Sequence, residues 1–116
     1  MNKLNLIYNK ILCHFKLYKI IGYKARLELN KDQINVGKRS WLGNRCYLGC
    51  YNVNAHIEIG SRVYSGDDLQ ITSIEKVSIS KNVLIGRNVT IVDHNHGDKN
   101  TYNLNIHPSD RPLISK

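Results

Sequence analysis

At 116 residues the chain has room for one modest domain and not for two that fold independently. An apolar share of 41% with only 2 prolines is that of an ordered globular protein and excludes collagen-like, mucin-like and disordered classes. Lys plus Arg number 17 against 9 acids, and the net charge of +8 suits an anionic partner whose kind depends on where the charge sits.

Residues 1–27 carry Lys3, Lys10, Lys16, Lys19, Lys24 and Arg26 and no acid, with Leu4, Ile7, Ile11, Phe15 and Tyr18 at helical spacing. This predicts a basic amphipathic helix with a linker, together residues 1–33. Two settings suit it. The helix packs on the end of the main domain with its lysines in water, or it lies on anionic lipid, where each cation near the surface adds about 1 kcal/mol. Lys10, Lys16 and Lys19 interrupt any apolar stretch that a cleaved signal peptide would need, and no uncharged run approaches the ~20 apolar residues of a membrane span. The expected location is cytoplasmic, peripheral to the inner face of the plasma membrane if the helix meets lipid.

From residue 34 the period changes to six. An aliphatic residue precedes glycine at Val36-Gly37, Leu42-Gly43, Leu48-Gly49, Ile59-Gly60 and Ile85-Gly86, and the same frame takes in Ser65-Gly66, Ile71-Thr72, Ile79-Ser80 and Ile91-Val92. Val63, Leu69, Val83 and Val89 add a second inward position. Helices do not repeat every six residues. A parallel β-helix does: each hexad supplies a short strand and a turn, and three hexads make a coil of about 18 residues whose inward side chains stack on those of neighbouring coils. The prediction is therefore an all-β parallel β-helix over residues 34–116, preceded by the helix. Glycine is expected at the corners, where a side chain would crowd the turn. The three cysteines, with no credible secretory signal, predict reduced thiols, and Cys46 and Cys50 lack the second ligand pair a zinc site needs.

The stretch Val77 to Gly97, VSISKNVLIGRNVTIVDHNHG, resembles hexapeptide-repeat acyltransferases, especially sugar O-acetyltransferases of bacterial polysaccharide gene clusters. The resemblance covers residues 34–116 and implies a left-handed helix, a homotrimer with sites between subunits, acetyl-CoA as co-substrate, and a sugar of lipopolysaccharide or capsule as acceptor. Asp93-His94-Asn95-His96-Gly97 stands where the coil pattern breaks into an active-site loop near 93–112. Acyl transfer to an alcohol needs a base of near-neutral pKa, and histidine serves without a metal. In related galactoside and maltose acetyltransferases the catalytic His follows the inward Val of its coil by seven residues, which counted from Val89 favours His96. His94 is the competitor. Asp93 is expected either to orient an imidazole or contact the acceptor, or merely to cap a turn. Asp68 falls where galactoside-type enzymes carry an acceptor-binding Asn. No coenzyme-binding residue is assigned.

The His94/His96 pair also resembles the metal-binding histidines of gamma-class carbonic anhydrases, with His56 as third donor, but the DHNHG segment and Arg111-Pro112-Leu113 resemble the acetyltransferases, so no metal is expected. Nor is nucleic acid, since no basic stripe is interleaved with stacking aromatics. The resemblance further implies two or more coils beyond Leu113 that line the coenzyme channel. The alternative function is accordingly an inactive or partner-dependent truncated β-helix remnant that lacks the coenzyme site.

Overall fold

A computed structural model describes residues 2–96, 106–110 and 113–115, with the side chains of His96 and Pro108 outside the described part. The chain opens with α1 (Lys3–Leu17), whose N-terminus is capped where Asn2 Oδ1 accepts the Asn5 N–H at 2.8 Å. Short strands follow: β1 (Arg26–Glu28), β2 (Ile34–Val36), β3 (Tyr47–Cys50), β4 (His56–Ile59), β5 (Tyr64–Ser65), β6 (Gln70–Ser73), β7 (Lys76–Ile79), β8 (Leu84–Ile85) and β9 (Thr90–Val92). They form three parallel sheets, ordered β1-β3-β6-β9, β2-β4-β7 and β5-β8, the last extended by isolated bridges Ile21↔Leu42 and Trp41↔Tyr64. The result is a β-solenoid with one N-terminal helix.

The inward residues stack in register. Leu27, Leu48, Ile71 and Ile91 form one column, and Ile34, Ile57 and Val77 another. Leu42, Leu48, Ile57, Val63, Leu69 and Ile71 are fully buried, so the core is a stack of aliphatic layers. Each coil spans 20 to 23 residues, as the register of residues 27, 48, 71 and 91 shows, and not the expected 18. The surplus falls largely at one corner, between the first and second sheets. It holds a 3-10 turn (Lys31–Gln33) in the first coil, residues 51–55 in the second and residues 74–75 in the third. Buried Gln33 pins this corner by donating from Nε2 to the carbonyls of Asn52 (2.8 Å) and Ala55 (3.2 Å).

The coils also begin earlier than residue 34. Ile21 bridges Leu42 and β1 pairs with β3, because Ile21-Gly22 is itself an aliphatic-glycine pair in register with Leu42-Gly43. The corner glycines do not owe their place to a left-handed backbone. None of the seven described has positive φ; the left-handed position falls two residues later, at Lys24, Arg39, Arg45, Arg62, Asp68 and Asn88, and Asn82 does the same after Ser80. That geometry turns the backbone N–H toward the preceding coil, as in Asp68 N–H to Asn44 O at 2.9 Å and Asn82 N–H to Ser61 O at 3.0 Å. At Gly22, Gly37, Gly43 and Gly60 the glycine is needed because the next coil passes too close: a Cβ at Gly60 would lie 2.5 Å from Lys81 N.

Helix α1 covers the first end of the stack with Cys13 and Leu17, both buried, while Lys16 Nζ donates to the carbonyls of Lys31 (2.5 Å) and Ile34 (2.6 Å). The periodic stripe seen in the sequence faces the other way: Leu4, Ile7, Ile11, Phe15 and Tyr18 are all exposed.

Candidate functional site

Coil geometry ends at Asp93. The chain then forms β10 (His94–His96), which pairs antiparallel with β11 (Leu113–Ser115) in the register His94↔Ser115, Asn95↔Ile114 and His96↔Leu113. Asp93 to His96 thus stand where parallel stacking gives way to an antiparallel strand pair, at the corner that absorbs the surplus residues of each coil.

Asp93 occupies the place that the turn between β6 and β7 occupies one coil below, and its carboxylate fills that turn. Oδ2 accepts from Ser73 Oγ (2.8 Å) and from the backbone N–H of Glu75 (3.0 Å) and Lys76 (2.9 Å). Oδ1 accepts the Ile74 N–H at 2.9 Å and meets His94 Nδ1 at 3.0 Å. Burial alone would raise the carboxyl pKa, but the donors from Ile74, His94, Ser73 and Glu75 outweigh it and hold the group well below the usual carboxylate range. Asp93 is therefore ionised at neutral pH and can only accept, so His94 Nδ1 must carry a proton and, in the neutral ring, Nε2 holds the free lone pair. Only 8% of the His94 side chain and 10% of that of Asp93 are exposed. Asp93 caps a turn and hydrogen-bonds an imidazole at once.

The ring of His94 meets the ring of Tyr51 edge-on, with centroids 5.8 Å apart and planes at 74°. Tyr51 belongs to a hydroxyl chain. Tyr47 donates to Glu28 Oε2 at 2.8 Å and, having only one proton, receives the Tyr51 hydroxyl at 2.7 Å. Burial, then the hydrogen bonds with Tyr51 and Glu28, push the Tyr47 phenol far up, so it stays protonated. The Arg26 guanidinium lies 4.7 Å from the centre of the Tyr47 ring. Beside Tyr51 a cavity of about 430 Å³ opens between α1 and the first coils, with Glu28, Asn30, Gln33 and Asn52 among its polar lining.

The other candidates are dispersed. Asp68 stands at the corner before β6, and Ser73 lies at that strand's far end, so within one chain about 13 Å of strand separates Asp68 from the Asp93–His94 pair. Arg45 clamps the Asp68 carboxylate bidentately at 2.9 and 3.1 Å and lowers its pKa. The side chain of His96 lies outside the described residues, as do positions 97–105 and 111–112 of the predicted loop; the backbone of His96 pairs with Leu113. His56 is in a different sheet, 3.2 Å from Asn35 Nδ2 and 3.7 Å from Glu58. Among the described residues no three His, Cys, Asp or Glu side chains come together as a metal site would require. Burial raises the pKa of each of the three thiols to about 11.

Sequence reading missed Ser73, Tyr51, Tyr47 and Glu28. For Tyr51 a signal existed: it opens the break in the hexads between Leu48-Gly49 and Ile59-Gly60. No protein-family model, curated protein or solved structure matches the chain. What defines the protein is its own geometry, a β-solenoid carrying a buried, oriented Asp–His pair at its irregular corner.

Proposed function

We propose that the chain is an acyltransferase that moves an acetyl group from acetyl-CoA to a sugar hydroxyl in surface-polysaccharide biosynthesis, with His94 as general base. The observation that carries this reading is the hydrogen bond from His94 Nδ1 to an Asp93 carboxylate locked by four other donors, which leaves Nε2 as a basic, positioned nitrogen. In the reaction Nε2 takes the acceptor's hydroxyl proton as its oxygen attacks the thioester carbonyl; the C–S bond then breaks and the imidazolium returns the proton to the departing thiolate. Asp93 stabilises that imidazolium without taking its proton, since its own pKa is depressed. The cavity beside Tyr51, largely apolar with a few polar groups, is the proposed seat of the acceptor, with Glu28 and the amides of Asn30 and Asn52 as partners for sugar hydroxyls. This reading carries with it a left-handed coil and a homotrimer, as in the family the sequence resembles.

A second reading, a non-catalytic solenoid completed by a partner, is favoured by the last coil: among the described residues nothing lies within 4 Å of a Cβ at Gly86, and Val89 and Ile91 are only half-buried. Acetyl transfer measured on a panel of sugars with wild-type, His94→Ala and His96→Ala chains separates the alternatives. Loss of turnover in His94→Ala with coenzyme binding retained supports the first reading. Loss only in His96→Ala moves the base to that residue, and a folded wild-type protein that binds no acetyl-CoA leaves the second.

A further inference from the structure

Helix α1 has two apolar faces, and the solenoid uses one. Cys13 and Leu17 are buried against the first coil, and Lys16 on that side is occupied by the carbonyls of Lys31 and Ile34. On the opposite face Leu4, Ile7, Ile11 and Phe15 are 76%, 55%, 54% and 74% exposed, a continuous stripe at i, i+3 and i+4 spacing. At 100° per residue Lys3 and Lys10 flank the stripe on one side, and Lys19 follows in the turn just after the helix; all three are exposed, and no acid occurs before Glu28.

We propose that α1 is an in-plane membrane anchor: its free apolar stripe enters the headgroup boundary of an anionic bilayer while Lys3, Lys10 and Lys19 engage the lipid phosphates. The charge pattern selects this occupant. A second copy of the chain would bring another row of lysines against the first, whereas anionic lipid supplies an apolar boundary and counter-charge together. The 15-residue helix is about 22 Å long, short of the ~30 Å hydrocarbon core, and among the described residues no helix is long and apolar enough to cross a membrane. The docked face keeps the solenoid in place, so binding requires no rearrangement. The inference stands independently of the acyltransferase reading.

The test is co-sedimentation of the 116-residue protein with vesicles of phosphatidylcholine alone and of phosphatidylcholine with phosphatidylglycerol. Three lysines predict roughly a hundredfold preference for the anionic vesicles, falling as salt is added. The variant Lys3→Glu/Lys10→Glu/Lys19→Glu removes that preference, and Ile11→Ser/Phe15→Ser abolishes binding while circular dichroism and the thermal midpoint stay at wild-type values, because these side chains are exposed. Equal binding to both vesicles, or binding indifferent to the double substitution, overturns the proposal. So does self-association by light scattering that the double substitution abolishes, with no vesicle binding, since the stripe would then be an interface between copies.

Discussion

Replacing Asp93 by Asn separates the two duties of this side chain. The amide oxygen takes the Oδ2 position, where it keeps the donors of Ser73, Glu75 and Lys76, and the NH2 then faces the Ile74 N–H and His94 Nδ1. One nearly buried backbone donor loses its acceptor, which costs about 1–3 kcal/mol, and three charge-assisted bonds become neutral ones of roughly half the strength. The expected loss is about 2–4 kcal/mol, within the 5–15 kcal/mol typical of a domain, so the variant folds at 25 °C. The NH2 facing Nδ1 also forces the His94 tautomer to invert: Nδ1 becomes the acceptor and Nε2 takes the proton. Urea titration reads the stability, and long-range ¹H–¹⁵N correlation of the histidine rings, with His94 identified by its absence in His94→Ala, reads the tautomer. A wild-type His94 protonated on Nε2 would refute the orientation argument, as would Asp93→Asn with unchanged tautomer and a stability loss below about 0.5 kcal/mol.

Three further outcomes follow from the same geometry. Gly60→Ala drives a Cβ to 2.5 Å from Lys81 N and should cost about 1–3 kcal/mol, whereas Gly86→Ala meets nothing among the described residues and should be neutral or gain about 0.4–1 kcal/mol; equal denaturation midpoints would contradict the close-approach account. Because the Asp93 carboxyl is depressed in the fold, the unfolded chain binds its proton at higher pH. The Asp93 contribution to stability is therefore full above about pH 4 and lost as pH falls below it, and Asp93→Asn should flatten that part of the urea-midpoint profile. Cys13 and Cys46, both buried and with pKa values near 11, should react with a thiol reagent at neutral pH only after denaturation; rapid modification of either in the native protein would contradict their burial.

The solenoid was legible because its period is chemical. Each inward residue is surrounded by its equivalents in adjacent coils, so Leu42, Leu48, Ile59, Ser65, Ile71 and Ile85 must all be small or aliphatic, and all six are buried. Coil length was not legible to the same degree. A repeat frame is silent on which corner takes the surplus over 18 residues, since a corner loop leaves the stacked strands in register. The start of the coils was hidden in Ile21-Gly22, whose partner Leu42 lies far along the chain.

The site divides along the same line. The end of the repeat and the resemblance to hexapeptide-repeat acyltransferases marked His96, with His94 as its competitor and Asp93 beside them, as chemically able residues. Which imidazole meets the carboxylate depends on how the chain leaves the last coil, and the Ile74 to Lys76 amides that depress the Asp93 carboxyl come from the turn one coil below. The helix is the plainest instance. Its 3.6-residue pattern located the stripe of Leu4, Ile7, Ile11 and Phe15, yet the face that packs is that of Cys13 and Leu17, because the end of the solenoid accepts only side chains that fit its first layer. Periodicity records what each residue prefers relative to its neighbours in sequence; contacts between distant segments, which set the pairing of charges and the choice of packed face, exist only once the coils are stacked.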